Sequence, residues 1–266
     1  MENLIQFLKA ETLSPFPYVL SLCGSAITER TPRDIDFILY VSTEDLEESS
    51  RYLQGVLSSL HFDSSVCPMD ALQMYAVKFL FEDRPVSVHI VSYFRLLEYA
   101  CRAKDTAVYT EVDIVAYRLN YPAVYRKWIL ETRRISGDVS MWERLYAMVR
   151  DAMPVPELLA IFQWNIENTV HYCIEKWDNG EIARGILLFK VFREVLLYCY
   201  AANRQFYGTV KYVDRDLKAF QTEKELCNIA ALLFRAINSD STAQVMNLLE
   251  QITCYFQGGK EKGFSL

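Results

Sequence analysis

Apolar and polar positions along the chain follow two different periods, and the change between them falls near Tyr93. Before it, the apolar runs Tyr18 to Cys23 and Ile35 to Val41 have the length and residue types of strands. Two further runs, MYAVKFLF and VSVHIVSYF, are separated by Glu82, Asp83, Arg84 and Pro85, which reads as a hairpin. Amphipathic spacing predicts a helix over residues 3 to 13, ended by Pro15 and Pro17. A second helix is expected through TEDLEESSRYLQGVLSSL, opened by a capping arrangement of Ser42 and Asp45 and carrying acids in its first turn.

After Tyr93 the period becomes helical. YFRLLEYACRA, YTEVDIVAYRLNYPAVYRKWILETRR and MWERLYAMVRDAM are punctuated by Gly137 and by the Pro154/Pro156 pair. Residues 156 to 203 and 223 to 257 continue as long apolar-striped helices, and the polar tail GGKEKGFSL is expected to fray. The fold class expected is α+β. A mixed sheet with helices occupies residues 1–100, and an all-helical domain follows over residues 101–266.

Composition narrows the function classes. An apolar fraction of 52% with 9 glycines and 8 prolines in 266 residues suits a globular chain with a sizeable core. The start MENLIQFLKAETLSPF lacks a basic region ahead of a long apolar stretch, and no window approaches the length of an uncharged membrane span. A soluble cytoplasmic protein is the expectation. The seven cysteines are dispersed, none in a C-x-x-C pair, and there are three histidines, so neither a zinc cage nor a disulfide framework is indicated. A net charge of −6 without a dense Lys/Arg run disfavours a long nucleic-acid partner.

The candidate chemistry lies in YVLSLCGSAITERTPRDIDFILYVS. Gly24 and Ser25 stand at the exit of one predicted strand, where backbone N–H groups and a hydroxyl can cradle phosphate oxygens. Asp34 and Asp36 stand at i and i+2 at the head of the next, a spacing that puts two carboxylates on one strand face. Such a pair suits Mg²⁺, which takes a few carboxylates together with a substrate's own phosphates. The continuous apolar run Phe37 to Val41 argues for a strand covered on both faces, where purposeless acids would be costly.

These residues resemble the motif of the DNA polymerase β-like nucleotidyltransferase superfamily, and in style its small-molecule branch, the aminoglycoside and lincosamide nucleotidyltransferases and related minimal enzymes. The resemblance is carried by Cys23-Gly24-Ser25 and Asp34-Ile35-Asp36-Phe37 and covers about the first 95 residues. It implies transfer of a nucleoside monophosphate, AMP from ATP in the adenylyltransferase type, to a hydroxyl of a small molecule or a protein. Asp34 and Asp36 would be the Mg²⁺ ligands, and Gly24 with Ser25 would hold the outgoing phosphates. Where the family carries a third carboxylate, RPVSVHIVS places Ser87. His89, two residues on, is the candidate base. Relatives that take the acid from the helical half point instead to Glu111 or Asp113. Lys211, with Arg204, matches a segment that relatives place near the nucleotide. The alternative is a degenerate member that binds a nucleotide or a partner without turnover.

Overall fold

The computed structural model describes residues 1–27, 32–69, 73–115, 121–178, 180–207, 210–237 and 242–261. In chain order its elements are α1 (Glu2–Ala10), β1 (Tyr18–Cys23), β2 (Ile35–Val41), α2 (Leu46–Ser59), β3 (Ser64–Met69), β4 (Met74–Phe81), β5 (Arg84–Ser92) and α3 (Tyr93–Cys101). There follow α4 (Ala107–Thr110), α5 (Tyr121–Leu130), β6 (Arg133–Gly137), α6 (Val139–Arg150), α7 (Val155–Glu175), α8 (Glu181–Ala202), α9 (Val213–Ala219), α10 (Lys224–Ile237) and α11 (Thr242–Glu261). The class is α+β. Among the described residues, no helix is long and apolar enough to cross a membrane.

The chain divides into two units, Met1–Lys104 with Tyr121–Met153, and Asp105–Asn120 with Pro154–Leu266. The first therefore takes in α5, β6 and α6, which lie beyond the boundary near residue 100 expected from the sequence.

The first unit is built on a six-stranded mixed sheet in the order β3-β4-β5-β2-β1-β6. Neighbours are antiparallel except β2 and β5, which run parallel, joined through α2 and the β3–β4 hairpin. Because side chains alternate along a strand, the register sorts the sheet into two faces. On one, Leu20, Leu22, Ile35, Phe37, Leu39, Val86, Val88 and Ile90 are buried against Leu4 and Leu8 of α1 and Leu53 and Leu57 of α2. Apolar burial on this scale is the main force holding sheet and helices together.

Local signals set the helices on that face. α1 stops ahead of Pro15, with Glu11 already extended. α2 is capped by Asp45 alone, whose carboxylate accepts from Glu48 N at 2.9 Å; Ser42 stays outside the helix.

The opposite face is covered over half its length. Tyr40, fully buried, donates its hydroxyl to the Trp128 carbonyl of α5 at 2.8 Å, and its ring packs against Trp142 of α6 at 5.7 Å. Burial raises the Tyr40 pKa far above the ordinary phenol value. β6 is the element that the sequence pattern misassigns, since Arg133 and Arg134 read there as the end of a helix. They instead form an edge strand paired with β1, with a bulge at Leu20/Ser21. Gly137 ends it at φ +92, where a Cβ would lie 2.1 Å from the Tyr18 carbonyl oxygen. Only glycine fits there.

The second unit is helical. α7 packs against α8, burying Phe162, Ile166, Val170 and Cys173 of the first and Leu188, Val191, Val195 and Cys199 of the second, and α10 and α11 add Leu226, Leu233, Leu249 and Ile252 to the core. A buried acid, paired with a half-buried arginine, interrupts this core. Glu194 accepts from Asn165 Nδ2 at 3.1 Å and from Arg193, whose guanidinium also donates to the Thr110 and Val112 carbonyls, so neither charge is stranded.

Candidate functional site

The half of the second sheet face left open by α5 and α6 carries the polar positions of β2, β4 and β5. Asp36 of β2 pairs in register with Ser87 of β5 on one side and with Cys23 of β1 on the other. Paired residues of neighbouring strands project to the same face, so Asp36 and Ser87 stand side by side. One step further along the strands the pairing is Ile38 with His89, which puts His89 on that face as well. Parallel pairing of β2 with β5 thus brings together residues about 50 positions apart in sequence.

Within this patch His89 Nε2 lies 3.6 Å from Asp36 Oδ1, just beyond hydrogen-bond length. Both side chains are partly open to solvent, His89 at 20% and Asp36 at 33%. The other ring nitrogen, Nδ1, is buried and has no hydrogen-bond partner among the described residues. A hydrogen on Nδ1 would leave a buried donor unsatisfied, at about 1–3 kcal/mol. Placed on Nε2 it points toward a carboxylate. In the neutral ring the favoured tautomer therefore carries its hydrogen on Nε2, facing Asp36.

Gly24 closes the other side. It leaves β1 at φ +68 and opens a short 3-10 turn through Ile27, and a Cβ built on it would sit 3.5 Å from Asp36 Oδ2. The missing side chain leaves room beside the carboxylate for a ligand to meet backbone. Cys23 ties the same corner together, its thiol donating to the Asp36 carbonyl at 3.3 Å. Asp34 lies in the exposed bend before β2, not on the strand where the i, i+2 spacing put it.

Ser25 belongs to the turn after Gly24, and its side chain lies outside the described residues. Lys211 belongs to the second unit, in the short turn Val210–Tyr212, and its side chain likewise lies outside them. Arg204 is exposed just past α8 at φ +53. Glu111 ends α4, where the sequence suggested the opening of a helix, and Asp113 is engaged locally, accepting from Val115 N at 2.9 Å.

Magnesium takes hard oxygen donors, retains several waters and is commonly held by one or two carboxylates plus substrate phosphates. Asp36, partly open to solvent beside the missing side chain of Gly24, offers one carboxylate of the kind such an ion takes. Among the described residues no group of three His, Cys, Asp or Glu side chains could hold a metal by itself.

No protein-family model and no curated protein sequence matches the chain. Among solved structures, it is similar to the crystal structure of a nucleotidyltransferase-like protein from Exiguobacterium sibiricum 255-15, at 10% identity and a TM-score of 0.41, over 97% of this chain and 76% of that one.

Proposed function

We propose that the chain is a magnesium-dependent nucleotidyltransferase, moving a nucleoside monophosphate, AMP from ATP, to a hydroxyl on a small molecule or a protein. The observation that carries the reading is the corner formed by Gly24, Asp36 and Ser87. A side-chain-free strand exit meets a carboxylate on an open sheet face, 3.5 Å being the distance from the missing Cβ to Asp36 Oδ2.

In this reading the Gly24 backbone and Ser25 receive the outgoing phosphates, and Asp34 with Asp36 holds the metal. When bound, magnesium would neutralise charge on the phosphate oxygens. The acceptor oxygen bonds to the α-phosphorus, pyrophosphate leaves, and the acceptor's proton passes to a base. At His89 only Nε2 is placed to take it, because Nδ1 is sealed. The ring would then act from its less favoured tautomer. In the favoured one it donates toward Asp36 and orients that carboxylate.

The second reading, a nucleotide-binding protein without turnover, is favoured by one observation. Beside Asp36 the register places a serine, where a third carboxylate would complete the metal set.

Calorimetric titration of ATP with and without Mg²⁺ tests the binding common to both readings. The expected result is metal-dependent binding that Asp36→Asn removes and Asp34→Asn weakens; no binding under either condition would refute both. Transfer assays separate them. Activity lost in His89→Ala supports turnover by the native chain, whereas activity seen only in Ser87→Asp identifies the degenerate form.

A further inference from the structure

The row of side chains that contains Asp36 and Ser87 runs on across the sheet. Ser87 pairs with Lys78 of β4, and Lys78 with Ser65 of β3, so Cys23, Asp36, Ser87, Lys78 and Ser65 form one line on one face. Exposure rises along it. Cys23 is buried, Asp36 and Ser87 are half-buried, and Lys78 and Ser65 are exposed. The line therefore runs from a partly covered acid at its inner end to an exposed amine near its outer end.

Directly opposed residues of an antiparallel pair have Cβ atoms about 4.5–5.5 Å apart. A carboxylate in the position of Ser87 would thus lie within reach of the Lys78 ammonium and pair with it across the strands. With serine there, no such pair forms, and among the described residues the Lys78 ammonium has no ion pair or side-chain hydrogen bond. The Lys78 ammonium, on the same sheet face as Asp36, thus has no carboxylate directly across the strands from it.

Resting on the nucleotide-binding reading above, we propose that Lys78 is a phosphate-binding residue of that site, holding the outer phosphates of a nucleoside triphosphate laid along the row from Asp36. The span from Asp36 to Lys78 is two inter-strand spacings, about 10 Å between backbones. A long flexible side chain shortens that gap from its own end, and an ammonium is a compact partner for phosphate oxygens. The amine would supply part of the positive charge that a complete set of three acids would recruit as metal. The site would then bind polyphosphate with a weaker demand for Mg²⁺ than such a set imposes.

The test is titration of ATP, AMP and inorganic triphosphate into wild type, Lys78→Ala, Lys78→Arg and Asp36→Asn, with Mg²⁺ and in EDTA, after unfolding midpoints have shown the variants folded. We expect Lys78→Ala to weaken ATP binding about tenfold or more, the scale of one lost charge-assisted contact. Lys78→Arg should restore most of it, AMP should bind both forms alike, and inorganic triphosphate in EDTA should lose affinity in Lys78→Ala. If Asp36→Asn abolishes Mg²⁺-dependent binding while Lys78→Ala binds ATP like wild type, the lysine has no such role although the site stands. If wild type binds no ATP with or without Mg²⁺, the site reading falls and the proposal with it.

Discussion

Gly24→Ala separates the cost of backbone strain from the cost of filling the site. At φ +68 an alanine is held in the left-handed region, at about 1–2 kcal/mol relative to glycine. Its methyl would stand 3.5 Å from Asp36 Oδ2, an ordinary van der Waals distance, so no clash adds to that figure. At about 2–4 °C per kcal/mol for chains of this size, thermal unfolding should fall by a few degrees. Ligand binding should suffer more, because the methyl occupies the space through which a phosphate would reach the turn; we expect at least a tenfold loss of ATP affinity, about 1.4 kcal/mol. Gly55→Ala is the internal control. Gly55 is exposed within α2 with nothing near its missing Cβ, so alanine there should raise stability by about 0.5–1 kcal/mol and leave binding alone. The assays are differential scanning calorimetry and ATP titration on the same preparations. If Gly24→Ala melts and binds like wild type, the close approach between this turn and Asp36 has no part in the site.

Two further outcomes concern the β1–β6 edge and the helix that follows it. Gly137→Ala would force a methyl to 2.1 Å from the Tyr18 carbonyl oxygen at a φ of +92, so the backbone must move; we expect about 3 kcal/mol or more of lost stability in urea unfolding, and a loss below about 0.5 kcal/mol would contradict the described packing. Asp138 caps α6, accepting from Ser140 N at 2.8 Å and Met141 N at 3.1 Å, and the Ser140 hydroxyl bond, the largest cause, holds its carboxyl below the ordinary aspartate range. A depressed folded value means stability present above the unfolded pKa and lost as pH falls through the folded one. Asp138→Ala should therefore cost about 1 kcal/mol at neutral pH, with the difference from wild type shrinking below about pH 4. A gap that stayed constant into acid would show that the charged cap is not what the substitution removes.

How far the sequence reached depended on whether the deciding contacts were local. Met74–Phe81 is legible as a strand because its apolar run and the Glu82–Pro85 break lie side by side, and α7, α8, α10 and α11 declare themselves by periodicity. β3 is not, since Ser64–Met69 is a half-buried edge strand containing Pro68 with little apolar signal of its own. β6 failed for a related reason. Arg133 and Arg134 suit the last turn of a helix locally, and only the unpaired edge of β1 turns them into a strand. At the candidate site, the motif pointed to Gly24 and Asp36, which the register brings side by side, and to Asp34, which lies in the bend before β2 instead of on the strand, while period-two spacing put His89 on the face of Ser87. The 3.6 Å approach of His89 to Asp36, the sealing of its Nδ1 and the line running out to Lys78 all depend on which strands are neighbours and in what register. Neither is written in any single segment.

The late arrival of β6 also bears on how the chain leaves the ribosome. β1 obtains β2 as a neighbour almost at once, but its other side waits for Arg133–Gly137, which begin about 110 residues after Cys23. At about 5–20 residues per second this is roughly 6–22 s during which a buried strand presents a bare row of backbone donors and acceptors to its surroundings. Such an edge is a template for pairing with another chain. Polysomes crowded with copies of this message are thus where its misassembly would begin, and slowing translation between β2 and β6 should lower the soluble yield.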